Sequence, residues 1–176
     1  GPRPPITTDL MEELIRRQFF QGQIVYNTPK EMTVGETERI EVRIGTPNQD
    51  DITEGVDGKG PLVIETKEIS AFMTVTLKGA NFEVAAKNET EQVVRQSGFT
   101  QWGFDVLPLK RGRQTLELII SKRIVSPGMT DQKITIPTIE EDINVKVNPI
   151  FTMTSFMQRH WQWIIGTILG SGIIGW

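Results

Sequence analysis

The chain has no cysteine and a single histidine in 176 residues. Without cysteine there is no disulfide framework, no thiolate zinc site and no cysteine nucleophile. One histidine cannot build a histidine metal cluster within one chain. It could serve a Ser–His–Asp arrangement, but it is His160, next to an apolar tail where no concave site is expected. An excess of positive charge is also missing. The 19 Lys+Arg stand against 22 Asp+Glu, a net charge of -3, which argues against nucleic acid as a partner. The start, Gly1-Pro2-Arg3-Pro4-Pro5, is not an apolar run, so no secretory signal is read there. No base–nucleophile pair, cofactor motif or metal-ligating set emerges. Catalytic, cofactor and metal residues are therefore assigned to none, and the chain reads as a non-enzyme.

Charge is also missing from one end. Every Asp, Glu, Lys and Arg lies before His160, and Trp161 to Trp176 carries none. That tail predicts a short membrane helix over 161–176, preceded by a juxtamembrane segment over 151–160. Sixteen helical residues span roughly 24 Å, short of a hydrocarbon core of ~30 Å, so tilt, local thinning or further residues would be needed. Arg159, His160, Trp161 and Trp163 would form a near-side interfacial belt, with Trp176 anchoring the far side. Gly166 and Gly170 make a Gly-xxx-Gly pair. With Gln162, Thr167 and Ser171 they form a small, weakly polar stripe suited to helix–helix packing. Glycine is also simply common in membrane helices, so incidental placement stands beside packing.

Residues 1–8 read as a linker stiffened by proline, with a Gly1-Pro2 start of the kind left by tag removal. Asp9 and Glu12 fit a capping box, and Leu10, Leu14, Ile15 and Phe19 fall at helical spacing, predicting a helix over 9–21. From Gln23 the pattern switches to period two, and a β-domain is expected over 22–150. The helix either docks an upstream domain or closes one end of this β-domain. Strands are expected over 23–27, 69–77, 82–86, 91–95, 115–124 and, as a final pair, 133–147. Arg39, Glu41 and Arg43 alternate with Ile40, Val42 and Ile44, the clearest half-buried strand. Trp102, Phe104 and Val106 alternate up to Pro108. Seven to nine short strands with frequent turns predict an all-β sandwich or barrel, and no βαβ rhythm is present.

The stretch 102–118, WGFDVLPLKRGRQTLEL, resembles a recurring pattern of immunoglobulin-like sandwiches: an aromatic strand ending at proline, a glycine turn, and an alternating strand returning. The stretch 29–42, PKEMTVGETERIEV, looks like the early strand pair of such domains. The resemblance covers about residues 22–148 and implies an antiparallel two-sheet fold, here with a short N-terminal helix and a C-terminal transmembrane helix. The cysteine pair of antibody domains, and the tryptophan packed on it, have no counterpart. A fold resemblance of this kind implies no activity.

Several features admit a sharper and a blander reading. Asp50, Asp51, Glu54 and Asp57 could hold calcium, but the EF-hand spacing is absent and a solvated acidic loop is the simpler reading. Lys110-Arg111-Gly112-Arg113 could meet anionic headgroups or an acidic partner, or be a solvated turn. Trp102 and Phe104 could stack a ligand, but alternating aromatics usually belong to a core. Asn88-Glu89-Thr90 matches the glycosylation acceptor. The leading expectation is a non-enzymatic, membrane-anchored interaction or oligomerisation module. It is single-pass and tail-anchored, with its β-domain in the cytoplasm. The expected partners are the lipid bilayer, further copies of itself, and an upstream domain or protein. Two alternatives are a membrane-disrupting, pore-forming effector of bacterial antiviral defence and an extracytoplasmic adhesion or receptor domain.

Overall fold

The structure is a computed structural model, and it describes residues 8–47, 52–95, 98–126 and 128–148. One helix, α1 (Thr8–Arg16), precedes eleven strands. These are β1 (Phe20–Asn27), β2 (Glu31–Thr33), β3 (Glu38–Gly45), β4 (Leu62–Ile69), β5 (Phe72–Lys78), β6 (Phe82–Ala86), β7 (Glu91–Val93), β8 (Phe99–Pro108), β9 (Gly112–Ile124), β10 (Gln132–Thr135) and β11 (Ile139–Lys146). They form two sheets. The first runs β4-β1-β3-β8-β6; the second runs β2-β11-β9-β5-β7, with β10 also paired to β9. All pairings are antiparallel except β2 with β11.

The period-two pattern explains the layering. Residues i and i+2 of a strand share one face, so alternating apolar residues make one buried surface. The first sheet turns Ile24, Tyr26, Ile40, Val42, Ile44, Trp102, Phe104 and Val106 inward. The second answers with Met73, Val75, Leu77, Leu116, Leu118, Ile120, Ile143 and Val145. Each such side chain contributes roughly 1.5–3 kcal/mol on burial, so these facing rows dominate the stability. The Trp102 ring is buried with them, and its Nε1 donates to the Thr90 carbonyl at 2.8 Å.

β9 is long because two strands share one of its edges in succession. β11 pairs with residues 112–118 and β10 with residues 121–124. Pro137 lies between them and has no N–H to continue a ladder.

The helix is shorter than the periodicity predicts. It ends at Arg16, and none of its residues is buried. Its attachment runs through the next turn. Gln18 donates to the Val125 carbonyl and accepts from the Val125 N–H, at 2.7 and 2.8 Å. The Lys122 ammonium lies 4.2 Å from the centre of the Phe19 ring.

The expected transmembrane helix is not supported. Among the described residues no helix is long and apolar enough to cross a membrane. A span needs about 20 predominantly apolar residues; α1 has nine and carries charges throughout. The 16-residue tail is itself below that length and, with the juxtamembrane segment 151–160, lies outside the described residues. The single-pass membrane placement therefore has no spanning helix to rest on. The cytoplasmic placement of the β-domain depends on that anchor and falls with it.

Candidate functional site

The densest polar constellation sits on the outer face of the first sheet. β3 directs Arg39, Glu41 and Arg43 away from the core, opposite Asp105, Gly103 and Gln101 of β8. Two of these charges, Glu41 and Arg43, are withdrawn from solvent, while Arg39 and Asp105 stay partly exposed. The segment from Ile52 to Lys59 folds back over the first two, and Glu41 and Arg43 are each 4% exposed. Arg43 is bonded all round. Its Nε donates to Gln101 Oε1 at 3.0 Å. Its Nη1 donates to the carbonyls of Ile52, at 3.2 Å, and Glu54. Its Nη2 donates to the Gly55 carbonyl at 2.9 Å. The guanidinium also stacks 4.3 Å from the centre of the Phe99 ring. Glu41 accepts the Asp57 N–H on Oε2 at 3.1 Å. Asn27 completes the arrangement: it accepts from the Glu41 N–H and donates to the carbonyls of Arg39 and Lys59. A buried charge is tolerated only when paired and hydrogen-bonded, and the cap supplies those bonds.

The cap is fitted closely to the strand beneath it. Gly58 and Gly60 have φ of 114° and 93°, a region that favours glycine. A Cβ at Gly58 would lie 2.3 Å from the Arg39 carbonyl oxygen, and one at Gly60 would lie 2.2 Å from that of Thr28.

A second cluster adjoins the first. Asp105 accepts from Arg39 Nε at 2.8 Å and pairs with Lys87 Nζ at 2.7 Å. Lys87 first, then Arg39, hold its carboxyl below the usual carboxylate range. The Arg39 guanidinium is raised in turn, chiefly by its bond to Asp105. On the other sheet Arg123 bridges Glu91 and Asp131 at 2.9 and 2.6 Å. Among the described residues the buried side-chain oxygens left without a hydrogen bond are Glu38 Oε2 and Thr74 Oγ1. They belong to different sheets, so they make no acid–base pair. The Tyr26 hydroxyl has a raised proton affinity: burial, then Glu65 and Glu141, push it up to about 12. That keeps it protonated and unsuited to base chemistry near neutrality.

Concave space is limited in kind. A gap of about 20 Å³ between the sheets, bounded by Tyr26, Leu77, Leu116, Leu118 and Ile143, has room for little more than one water. A depression of about 610 Å³ by Lys78, Asn81, Arg113 and Glu117 opens broadly to solvent.

The other conspicuous feature is an edge. β4 pairs with β1 along its full length and ends the first sheet. On its outer side Leu62 and Ile64 are 41% and 53% exposed. An edge of this kind presents a row of unpaired backbone donors and acceptors.

No family model matches the chain, and no curated protein matches it by sequence. Among solved structures it is similar to domains 4 and 5 of the S-layer protein SbsC, at 13% identity and a TM-score of 0.33. The likeness covers 68% of this chain and 47% of that one, so the chain spans about half the length of that structure.

The residues singled out from sequence fall in three groups. The membrane-interface set (Arg159, His160, Trp161, Trp163, Trp176) and the helix-packing set (Gln162, Gly166, Thr167, Gly170, Ser171) lie outside the described residues. So do Asp50 and Asp51 of the calcium reading. Glu54 and Asp57 serve the cap through their backbones, and among the described residues no three His, Cys, Asp or Glu side chains gather as a metal site. Trp102 and Phe104 are core residues, not a stacking pair. In the basic turn Arg113 is tied to Asp142. Asn88 accepts the Gly103 N–H at 2.8 Å through Oδ1. Sequence reading missed both the buried charges and β4. The only signal for the first was Arg, Glu and Arg alternating on a strand followed by a glycine-rich loop. For the second it was an apolar start, Leu62-Val63-Ile64, after Pro61.

Proposed function

We propose that the chain is a β-sandwich interaction module of the immunoglobulin-like kind, which works by binding protein through the β4 edge and not by catalysis. The strand order supports the fold assignment. β1, β3, β8 and β6 lie side by side as strands A, B, E and D do in such domains, and β11, β9 and β5 as G, F and C. β4 is then an added strand outside A.

The observation that carries the reading is the contrast between the two outer features of the first sheet. The Glu41 and Arg43 charges are covered and bonded within the chain, and Arg39 beside them is engaged by Asp105. Among the described residues no strand pairs with the outer edge of β4 over its eight residues, and Leu62 and Ile64 beside it are exposed. Extended segments add to such edges through main-chain hydrogen bonds, with alternate side chains giving specificity.

Selection of a random peptide library on the immobilised chain tests this. Peptides should be recovered that bind wild type and lose binding to the Leu62→Asp/Ile64→Asp variant. Recovery of peptides indifferent to the variant, or of no peptide by a chain that sedimentation shows to be monomeric, would overturn the reading.

A further inference from the structure

β4 is the longest bare sheet edge among the described residues. Its eight residues all pair with β1, from Phe20↔Ile69 to Asn27↔Leu62. The other terminal strands, β6, β2 and β7, have five, three and three residues, and β10 has four. Directly opposed residues share a face, so Val63, Glu65, Lys67 and Ile69 lie on the inner side with Tyr26, Ile24, Gly22 and Phe20. Charges on the inner side of an edge ordinarily repel an added strand. Here they are of opposite sign and two residues apart.

We propose that this edge binds a second copy of the chain, β4 against β4 antiparallel with Thr66 at the twofold axis, joining the two first sheets into one. The inference rests on the reading of the chain as an interaction module and names its partner. A twofold interface uses the same patch on both copies. For antiparallel strands in one continuous sheet it keeps inner faces on the same side, so pairing is centred on a single residue. Four centres leave most of β4, Leu62–Ile69, overlapped. Centred on Ile64, Glu65 meets Val63 and Lys67 falls opposite Pro61, outside the strand, so neither charge finds a partner. Centred on Glu65, two glutamates face each other and Lys67 meets Val63. Centred on Lys67, two lysines face each other. Centred on Thr66, Glu65 faces Lys67 of the second copy twice over, and Val63 faces Ile69 twice over. On the outer side Ile64 meets the aliphatic stem of Glu68. Opposite charges directly across a strand pair attract, and like charges repel. A one-residue slip would exchange the faces. An unrelated strand would need a cation opposite Glu65 and an anion opposite Lys67; the chain's own β4 supplies both.

Sedimentation equilibrium of the full chain tests the proposal. Wild type dimerises. Glu65→Lys and Lys67→Glu each place like charges across the axis and weaken the dimer roughly tenfold or more. The double variant Glu65→Lys/Lys67→Glu recovers the dimer. A mixture of the two single variants forms a heterodimer, because the copy carrying Glu65→Lys presents two cations to the two anions of the copy carrying Lys67→Glu. That recovery also shows that the single variants are folded. A wild type still monomeric at about 1 mM, a dimer indifferent to the single variants, or a mixture that stays monomeric would each overturn the proposal. If peptides bind the edge while the chain remains monomeric, the interaction reading stands and the second copy is excluded.

Discussion

Arg43 holds its Nη2 3.8 Å from Oε2 of Glu41, two residues back along β3, and both side chains are only 5% exposed. The two charges face outward from the sheet, yet neither is solvated, because residues 52–59 close over them. The cap and the pair depend on each other. The pair needs the cap to exclude water and supply carbonyls, and the cap is held by the guanidinium that those carbonyls accept from.

Removing the cation should therefore cost more than a surface charge would. Arg43→Met leaves the carbonyls of Ile52, Glu54 and Gly55 without their donor, and leaves Glu41 with only the half-buried Arg39, whose Nη1 lies 3.9 Å from its Oε1. Breaking a buried pair from one side costs about 3–5 kcal/mol. Urea denaturation should show a loss of that order, and limited proteolysis should cut within 52–59. Adding Glu41→Gln to Arg43→Met should return part of the stability, since it removes the stranded charge.

The cap can also be disturbed from its own side. Gly60→Ala places a Cβ against the Thr28 carbonyl at a left-handed φ. Backbone strain of this kind costs of order 1–3 kcal/mol. We expect a loss in that range by denaturation, with amide exchange accelerated in 52–60 and unchanged in β9. A uniform acceleration across both sheets would contradict a local role for the cap.

Asp105 gives a dependence on pH. Its carboxyl is held below the ordinary value by Lys87 and Arg39. A depressed carboxyl stabilises the fold fully above its unfolded value of about 3.9, and the contribution fades as pH falls through the lower folded value. Asp105→Asn should be less stable than wild type by about 1 kcal/mol at neutral pH. The difference should close on acidification below about pH 4. A gap that stays constant to low pH would show that the carboxylate charge is not its origin.

The helix should prove separable. A nine-residue helix is not stable by itself, and α1 buries no residue. Gln18→Ala removes both bonds to Val125, so α1 should fray. Amide exchange within 8–16 should become fast, while the denaturation midpoint moves little, in line with about 1 kcal/mol for exposed hydrogen bonds.

The inner rows of the sandwich were legible in the sequence because alternation has a single meaning once a sheet is half buried. Ile40, Val42 and Ile44, then Leu116, Leu118 and Ile120, lie where the pattern puts them. β4 was not legible. An edge strand exposes one side of its backbone and much of both faces, so Leu62-Val63-Ile64-Glu65-Thr66-Lys67-Glu68-Ile69 shows no clean period. β2 was also hard to read, being three residues long and held by its neighbour, whereas β10 and β11 fall in the final pair expected over 133–147. The expected transmembrane helix rested on an uncharged run, its tryptophans and its glycine spacing, and a run shorter than a span cannot establish one.

The sequence by itself determined the architecture of facing apolar rows, because side-chain period follows from backbone geometry within a strand. It also determined that no cysteine chemistry operates. Tertiary structure alone decided what covers the outer face. Alternation separates two sides of a strand but carries no information about a loop that returns nine or more residues later to bond Arg43. It likewise decided that β4 ends a sheet, since pairing is a relation between distant strands. The available edge, with Glu65 and Lys67 spaced to meet their own copies, exists only once β1 has taken β4's other side.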